Sequence, residues 1–369
     1  MANKAPFTMI NFVIWNVDPE IFSIGHFAVR YYGVLFASAF FFGYIIMARF
    51  FRMEGVPNEL LDKLTIYMAV GTIAGARLGH CFFYEPEYFL KHPVEILMIW
   101  KGGLASHGAA IGILLVLYLF ARKTGKSYWW VLDRVVIVVA LAGLFIRTGN
   151  LMNSEIYGHP TRSGAGFVYA RYVSDRVKAL PQIDRVQYKK AADTVPVKDS
   201  LAVPLEMSIR FKRTARNPEE LQAVMQMQVV DILKRAYHQK ERNVYLPPES
   251  QPVFQIFQDE DRYFTATMQV EALPRHPTHI YEALAYLLIF FILLGIYLRR
   301  KGNPRPALIF GVFLIILFGA RFIIEFIKEN QVPFEDQLTL NMGQLLSLPF
   351  IVAGISILIH IYVIKGRSG

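Results

Sequence analysis

The chain has 369 residues, of which 54% are hydrophobic and 14% aromatic, and its mean hydropathy is +0.33. This composition is too apolar for an ordinary soluble protein. The net charge of +10 is compatible with nucleic-acid binding, but the basic residues follow apolar segments, so we expect no nucleic-acid partner. The single cysteine, Cys81, excludes an internal disulfide and a cysteine-based zinc cluster.

Seven apolar segments follow an N-terminal stretch that lacks the apolar core of a secretory signal. Each approaches the roughly 20 residues that one membrane crossing needs. They are residues 31–50, 63–84, 104–121, 130–148, 280–298, 306–327 and 344–364. Residues 86–99 are too short and too charged to cross, which predicts an interfacial or re-entrant segment.

Basic residues accumulate in the loops after the first, third, fifth and seventh segments. They are Arg49, Arg52 and Lys63; Arg122, Lys123, Lys126 and Arg134; Arg299, Arg300, Lys301 and Arg305; and Lys365 and Arg367. The opposite loop, residues 328–343, has Lys328 against Glu329, Glu335 and Asp336. Seven crossings place the four basic loops on one side, which the positive-inside rule identifies as the cytoplasm. We therefore expect the N-terminus outside and the C-terminus in the cytoplasm.

The connection between the fourth and fifth segments, about residues 149–279, is too long for a plain loop. Residues 202–213 and 263–273 alternate as strands do, and residues 217–240 predict a helix with Asn217 as its N-cap. The fold class that follows is an all-α polytopic membrane protein with seven transmembrane helices and a small α+β extracytoplasmic domain inserted between helices four and five. The predicted domains are residues 1–160, 161–273 and 274–369.

Polar clusters interrupt these apolar segments. Ionisable groups at membrane depth cost about 2.5–3.5 kcal/mol each on insertion scales, so they usually face a cavity and act there. The first cluster, RYYG (30–33), also fits an aromatic belt with a snorkelling arginine. The second is GGLASHG (102–108), whose glycines permit an unusual backbone path. Its His107 is either structural or a proton acceptor near neutral pH.

The third cluster, RTGNLMNSEIYG (147–158), ends the fourth segment. Arg147 and Asn150 are three residues apart and share a helix face, as do Asn150 and Asn153. A guanidinium among amides suits an anionic lipid headgroup, because its forked donors match phosphate oxygens. Glu155 either holds Arg147 in place or accepts a proton. The alternative for the whole run is a helix end with a snorkelling charge.

The fourth cluster, PRHPTHIYE (274–282), leads into the fifth segment with Arg275, Tyr281 and Glu282. Its two histidines, His276 and His279, are a weak zinc signal, because no acidic residue is in register with them. A second arginine fits phosphate better, so no metal is expected.

The second segment contains an arginine, Arg77, whose partner the sequence does not identify. Its glycines, Gly71, Gly75 and Gly79, have the spacing that favours close packing of membrane helices.

Five motifs, in order, resemble those of the bacterial prolipoprotein diacylglyceryl transferases. They are IFSIGHFAVRYYG (21–33), GGLASHG, IRTGNLMNSEIYG, RHPTHIYE and NMGQLLSLP (341–349). The similarity covers roughly residues 1–160 and 270–365, and the inserted domain resembles the family only in its position. Ile146, Leu151 and the Thr278-His279 pair replace the usual Gly, Phe and Ser-Gln, which leaves open a role for His279.

This resemblance implies transfer of the diacylglyceryl group of phosphatidylglycerol to the lipobox cysteine of a preprolipoprotein signal peptide. A thioether forms and glycerol phosphate leaves. It also implies a bacterial cytoplasmic (inner) membrane, with membrane lipids as surroundings. No cofactor is expected, because the sequence has no Gly-rich nucleotide loop. The positions that match the family's functional residues are Tyr32, His107, Arg147, Asn150, Glu155, Gly158, Arg275 and Glu282.

Roles for these residues follow as hypotheses. Arg147 and Arg275 stabilise the charge that develops on the departing phosphate. The thiol must lose its proton, and His107 is the first candidate base, with Glu155 the second. The predicted substrate contacts, besides the two arginines, are Tyr32, Asn150, Asn153, Gly158, Tyr281 and Glu282.

A membrane transporter or flippase for an anionic lipid or solute is the main alternative, since transporters also place arginines and broken helices in their spans. The sequence shows no internal repeat, however, and three of the four clusters lie toward one face. A lipid-binding structural protein would not require His107 and Glu155 beside two arginines.

Overall fold

The computed structural model describes residues 11–25, 27–191, 201–215, 217–239, 243–330, 335 and 337–364. The chain divides into two compact units. Unit 1 comprises Met1–Gly33, Thr148–Tyr281 and Ile324–Leu338, and unit 2 comprises Val34–Arg147, Glu282–Ile323 and Thr339–Gly369. Five residues used in the predictions above, His26, Lys240, Asp336, Lys365 and Arg367, lie outside the described residues.

Eleven α-helices lie within the described part of the chain. They are α1 (Tyr31–Met53), α2 (Asn58–Phe83), α3 (Pro86–Lys91), α4 (Ser106–Thr124), α5 (Tyr128–Met152), α6 (Arg171–Lys178), α7 (Pro218–Ala223), α8 (Val230–Tyr237), α9 (Thr278–Arg299), α10 (Leu308–Ile324) and α11 (Met342–Ile359). Short 3-10 turns follow α3 at Pro93–Leu97 and Ile99–Lys101, and another follows α10 at Glu325–Ile327. Two segments, Val224–Val229 and His360–Ile364, are π-helical.

Six helical stretches among the described residues are long and apolar enough to cross a membrane. They are Tyr31–Met53, Ser106–Thr124, Tyr128–Met152, Thr278–Arg299, Leu308–Ile327 and Met342–Val363. A polytopic membrane protein is thereby confirmed. The predicted second segment is the helix α2, but Arg77, His80 and its glycines make α2 less apolar than these six, so seven crossings stay a prediction. Residues 86–99 contribute no candidate span.

Helices α2 and α4 pack closely through glycines, as their spacing predicted. A Cβ atom placed on Gly75 would lie 2.5 Å from the carbonyl oxygen of Gly108, and one on Gly79 would lie 2.6 Å from the Cα of Gly108. Toward the other end, a Cβ on Gly71 would lie 2.4 Å from the Val116 side chain. The two helices are therefore antiparallel neighbours with touching backbones.

Gly75→Ala is expected to lower the unfolding temperature, because its new methyl group would meet the backbone of α4 rather than a side chain that can move. Overpacking of this kind typically costs about 1–3 kcal/mol. The matched control is Gly295→Ala in α9, where nothing lies within 4 Å of the added carbon. Thermal unfolding of both variants in the same detergent gives the comparison, and equal temperatures would contradict the close α2–α4 contact.

One end of unit 2 is tied together by buried charges. Arg134 in α5 donates through Nε and Nη2 to the two carboxylate oxygens of Glu54, both at 3.0 Å, and through Nη2 to Gly302 O at 2.8 Å. The neighbouring Asp133 is fully buried and accepts a hydrogen bond from the backbone N–H of Ala307 at 2.9 Å. Three of the four basic loops therefore meet at this end, and their compartment stays a prediction.

The sheet structure lies in unit 1. The strands are β1 (Phe12–Trp15), β2 (Glu20–Ile24), β3 (Phe27–Arg30), β4 (Gly166–Tyr169), β5 (Ile183–Lys190), β6 (Val203–Phe211), β7 (Val244–Tyr245), β8 (Phe254–Gln258) and β9 (Phe264–Ala272). Strand β1 pairs with β4 in parallel, and β2 with β3 antiparallel. A five-stranded antiparallel sheet has the order β5-β6-β9-β7, with β8 also paired to β9.

The two predicted strands and the predicted helix of the long connection are confirmed. They are β6, β9 and the continuous run from α7 to α8, which includes the π-helical turn. Asn217 is the N-cap, and its side chain accepts a hydrogen bond from Glu219 N at 3.0 Å. Inward-facing apolar side chains of β6 and β9 form a core with those of α6 and α8, so this region folds around its own hydrophobic centre.

Candidate active site

The polar end of α5 gathers three of the predicted site residues within unit 1. Asn150 Nδ2 donates to Glu155 Oε1 at 2.8 Å, and Asn153 Nδ2 approaches the same oxygen at 3.2 Å. The backbone N–H of Glu155 donates to Asn150 O at 3.1 Å. Two side-chain amides and one backbone bond thus fix an exposed carboxylate immediately after the helix.

The turn that carries Glu155 is strained on both sides. Ser154 has φ of 55° and Ile156 has φ of 58°, a left-handed conformation that is unfavourable for a β-branched residue. The Ile156 carbonyl accepts a hydrogen bond from Thr278 Oγ1 at 2.9 Å, which holds the turn in place. Strain of this kind clusters at active sites and ligand clamps, where surrounding contacts maintain it.

Tyr32 packs directly against the same stretch of chain. A Cβ atom on Gly149 would lie 2.6 Å from Cδ2 of the Tyr32 ring, so only glycine leaves room for this contact. Two residues after Gly149, the carbonyl oxygen of Leu151 accepts a hydrogen bond from Trp15 Nε1 at 3.0 Å. The N-terminal strands and the RYYG motif are therefore neighbours of the Asn150 cluster within unit 1.

Arg275 is buried among polar groups of unit 1, with only 2% of its surface exposed. Its Nε donates to Asn243 Oδ1 at 2.8 Å, and its Nη1 donates to Glu329 Oε2 at 2.7 Å and to Gly158 O at 3.3 Å. The guanidinium also lies 5.3 Å from the centre of the Tyr157 ring. Its position is therefore fixed by a carboxylate, an amide and a backbone carbonyl.

The partners of Arg275 are themselves connected. Asn243 Nδ2 donates to the Tyr157 hydroxyl at 2.7 Å, and His159 Nδ1 lies 3.2 Å from Glu329 Oε2. Burial alone would raise the pKa of Glu329, but the hydrogen bond with His159 and the charge of Arg275 outweigh it, and the pKa lies below its usual value. Glu329 is therefore an anion that compensates the buried guanidinium.

Gly158 has a packing role. A Cβ atom there would lie 2.3 Å from Ile327 O and 2.8 Å from Cβ of His276. The backbone of Gly158 also donates to His276 O at 2.8 Å. The side that a side chain would occupy is filled by protein, and the predicted lipid contact of Gly158 stays a prediction.

The two histidines of the fourth cluster have separate partners. His279 is fully buried; its Nδ1 accepts from the backbone N–H of Ile280 at 3.0 Å, and its Nε2 lies 3.1 Å from the Tyr169 hydroxyl. With Nδ1 accepting, the Nε2 proton is the one that points to Tyr169. His276 Nδ1 instead lies 3.4 Å from the Tyr281 hydroxyl. These contacts give His279 a structural function.

Acidification is expected to destabilise unit 1 through His276. Burial, together with nearby His159, lowers the pKa of His276 below its usual 6.5. The unfolded chain binds this proton more readily than the folded chain does. The stability that depends on neutral His276 is therefore fully present above about pH 6.5 and is lost as the pH falls below that value. The unfolding temperature in detergent should drop between about pH 7.5 and about pH 5.5, and drop less in His276→Gln. An unchanged pH dependence in the variant would contradict this assignment.

Arg147 has a carboxylate partner in unit 2. Its Nε lies 2.9 Å from Glu282 Oε2, and the Glu282 side chain is fully buried while that of Arg147 is 14% exposed. Nearby, Gly143 leaves room for the Tyr286 ring, which would come within 2.4 Å of an added Cβ. Glu282 is thus one partner of Arg147, whereas Oε1 of Glu155 accepts from two amides.

The GGLASHG loop follows an unusual path that Arg77 stabilises. Gly102 and Gly103 have φ of 86° and 73°, which only glycine adopts without strain. The Arg77 guanidinium donates to Gly102 O at 2.6 Å, to Ile96 O at 2.9 Å and also to Glu95 O. The missing partner of Arg77 is therefore a set of backbone carbonyls in the segment before α4.

His107 is exposed in the first turn of α4, directly after this loop. Its ring lies edge-on to Phe83, with the centres 4.9 Å apart, and 5.7 Å from the Tyr84 ring. Among the described residues, no hydrogen bond occupies its ring nitrogens.

Comparison with known proteins identifies the family. The family model described as prolipoprotein diacylglyceryl transferase matches residues 19–360. The chain belongs to this family. It is 34% identical to the phosphatidylglycerol–prolipoprotein diacylglyceryl transferase of Tolumonas auensis over 348 residues, which covers 94% of this chain and 96% of that protein.

Other members of the diacylglyceryl transferase family match over similar lengths. The enzyme of Porphyromonas gingivalis is 33% identical over 96% of each chain. That of Chloroherpeton thalassium is 31% identical over 94% of this chain and 92% of its own. The chain is thus a transferase of lipoprotein modification and a multi-pass membrane protein, and no finding supports the transporter alternative.

Several residues of this diacylglyceryl transferase were not found from its sequence. Asn243, Glu329, Tyr157 and His159 surround Arg275. Tyr157 lies within the third cluster but was given no role there, and the other three belong to none of the four polar clusters. The sequence indicated Glu329 only indirectly, because the loop after the sixth segment contains more acidic than basic residues. Asn243 carried no signal, because it lies inside the inserted region, far from the other motifs.

Proposed function

We propose that the chain transfers the diacylglyceryl group of phosphatidylglycerol to the thiol of a lipobox cysteine in a preprolipoprotein. The observation that carries this proposal is the family match across residues 19–360. The curated relatives in the comparison are named for the same lipid and the same class of protein substrate. The lipobox and the signal peptide before it are parts of the proposal.

The proposed reaction is a displacement at carbon. The thiolate sulfur attacks the glycerol carbon that carries the phosphate, the carbon–sulfur bond forms, and the carbon–oxygen bond breaks. The electron pair of that bond leaves with the phosphate oxygen, so glycerol phosphate is released and the cysteine becomes a thioether. The proton of the thiol goes to a base of the enzyme, since the thiolate is the nucleophile.

Arg147 is proposed to stabilise the charge that develops on the departing phosphate. Its ion pair with buried Glu282 directs the guanidinium and keeps it in place where little water is present. Electrostatic stabilisation by such a fixed donor is worth more in a water-poor site than in solution. Glu282 then acts on the lipid through Arg147.

Arg275 is proposed as a second phosphate donor that acts through one particular nitrogen. Nε and Nη1 are both occupied by protein oxygens, whereas Nη2 has no protein partner among the described residues. The fork geometry of a guanidinium lets two nitrogens fix the group while the third donates elsewhere. We therefore assign the phosphate contact of Arg275 to Nη2.

His107 is proposed as the base that takes the thiol proton. Its imidazole is exposed and its nitrogens carry no hydrogen bond to described residues, whereas Glu155 Oε1 already accepts from Asn150 and Asn153. Glu155 remains the second candidate. His107→Gln is expected to slow transfer more than Glu155→Gln, and the reverse order would assign the base to Glu155.

The other predicted substrate contacts stay proposals with supporting geometry. Tyr32 and Asn150 would orient headgroup oxygens, Asn150 with the help of its bond to Glu155. Asn153 and Tyr281 are placed by their contacts with Glu155 and His276, and are proposed as further polar contacts of the lipid.

We also propose that α2 crosses the membrane as the seventh span. It lies antiparallel against α4, a candidate span, along contacts from Gly71 to Gly79. The guanidinium of Arg77 is hydrogen-bonded to backbone carbonyls, which lowers the cost of placing it at membrane depth. Seven crossings put the basic loops in the cytoplasm and the N-terminus outside a bacterial inner membrane.

The deciding experiment uses purified protein, phosphatidylglycerol and a synthetic peptide with a lipobox cysteine. Mass spectrometry should find a diacylglyceryl adduct on the cysteine of the peptide, and release of glycerol phosphate in equal amount. A peptide with serine in place of cysteine is the control and should stay unmodified. Movement of phosphatidylglycerol across the membrane of vesicles that contain the protein, without any adduct, would favour the transporter hypothesis instead.

A further inference from the structure

A cavity of about 620 Å³ opens between helix ends of unit 2, and none of its lining residues belongs to the polar clusters described above. Its lining comes from the start of α5, the segment before α10 and the end of α11. The lining residues are Trp129, Arg305, Pro306, Ala307, Ser356, Ile357, His360 and Ile361. None of these described residues is acidic, and two of them, Arg305 and His360, have side-chain nitrogens that can donate hydrogen bonds to an anion.

The cation of this cavity is held in a rigid segment. Arg305 lies between Pro304 and Pro306, whose rings fix the backbone on both sides. The following Ala307 has φ of 68°, and its N–H donates to the buried carboxylate of Asp133 at 2.9 Å. The Arg305 guanidinium stacks 5.1 Å from the centre of the Tyr362 ring, and no carboxylate pairs with it among the described residues.

The remaining wall selects the kind of ligand. Ala307, Ile357 and Ile361 offer apolar surface. Trp129 lies in the first turn of the candidate span α5, and tryptophan is enriched at the ends of membrane spans. A free phosphate ion would gain nothing from this surface, whereas an acyl chain would bury it. Basic pockets between membrane helices bind acidic headgroups. Arg299, Arg300 and Lys301 precede the cavity in sequence and add to the local positive charge.

We propose that this cavity binds one molecule of an anionic phospholipid from the leaflet beside the basic loops. The Arg305 guanidinium and His360 contact its phosphate, and the apolar wall contacts an acyl chain. This lipid is distinct from the one that is consumed, because none of the lining residues belongs to the polar clusters assigned to catalysis. Binding of this lipid and the transfer reaction can therefore be tested separately.

A single engineered thiol tests it. Cys81→Ala removes the only natural cysteine, and Ser356→Cys then places one thiol in the cavity wall. The rate of maleimide labelling in detergent is measured with added phosphatidic acid, with phosphatidylcholine or with inorganic phosphate. We expect phosphatidic acid alone to slow labelling. Arg305→Gln should raise the concentration of phosphatidic acid needed for half-protection about tenfold, as loss of one charge-assisted contact does.

The matched control is Arg300→Gln, which removes the same charge from the same loop but does not line the cavity. Phosphatidic acid should protect the thiol in Arg300→Gln as well as it does in the protein that retains Arg300. Unfolding temperatures establish that all variants are folded. Equal loss of protection in the two arginine variants would overturn the proposal and indicate general attraction to a basic surface. Protection by inorganic phosphate, or equal protection by phosphatidylcholine, would overturn it as well.

Discussion

Arg147→Gln is expected to lower the rate of diacylglyceryl transfer by about 10²–10³-fold, as loss of one charge-stabilising donor does in other active sites. The departing phosphate becomes more negative while the carbon–oxygen bond breaks, and the guanidinium offsets that charge. The same substitution leaves fully buried Glu282 without the cation that Arg147 provides at 2.9 Å. Removing one side of a buried pair typically costs about 3–5 kcal/mol of stability.

Two further variants separate chemistry from stability. Arg147→Lys keeps a cation beside Glu282 but loses the forked donors, so it should fold normally and still transfer slowly. The double variant Arg147→Gln with Glu282→Gln removes both charges and should recover most of the stability but none of the activity. Adduct formation and thermal unfolding are measured in parallel, with Arg300→Gln as the control. Normal activity in the double variant would exclude a direct role for Arg147.

Arg275→Lys is expected to lower transfer by about 10²-fold although the positive charge is retained. Lysine cannot bond Asn243 and Glu329 simultaneously and still present a third planar donor toward the lipid. Kinetics with a lipobox peptide and phosphatidylglycerol should show the loss mainly in kcat, because the donor is needed where charge develops. Activity close to the wild type would mean that Arg275 acts only as a point charge.

Asn243 provides a matched test of how Arg275 is held. Asn243→Ala removes the bond to Nε and the bond to the Tyr157 hydroxyl but leaves the guanidinium and its contact with Glu329. We expect a loss of about tenfold in kcat, smaller than for Arg275→Lys, because the contacts with Glu329 and with Gly158 O remain. A variant that is folded and fully active would show that these two contacts are enough to position Arg275.

The membrane helices could be predicted because length and apolar composition decide whether a segment can cross. The strands β6 and β9 could be predicted for a similar reason, since each alternates between the core and the opposite face of the sheet. Strand β5 was not predicted, because most of its side chains are polar and only Ile183 and Val186 are buried. The strands before α1 are short, and β1 owes its order to a partner more than a hundred residues away.

The site could be predicted only as far as its residues cluster along the chain. Arg147, Asn150 and Glu155 stand within one run, so their density alone marked them. The hydrogen bonds within that run were not predictable, because Glu155 could accept from the Arg147 guanidinium or from side-chain amides. In the structure it accepts from the amides of Asn150 and Asn153. The setting of Arg275 depends on Asn243 and Glu329, which are 32 and 54 residues away in sequence, and spacing carries no information over such distances.

The carbonyl contacts of Arg77 have a consequence for how the protein is made. Synthesis proceeds from the N-terminus, so the arginine emerges from the ribosome 18 to 26 residues before the oxygens that bind it. Until then α2 carries an uncompensated cation, and it also lacks α4, against which its glycines pack. Nascent chains that stop before about residue 103 should therefore leave α2 poorly integrated, whereas chains that include α4 should retain it in the bilayer.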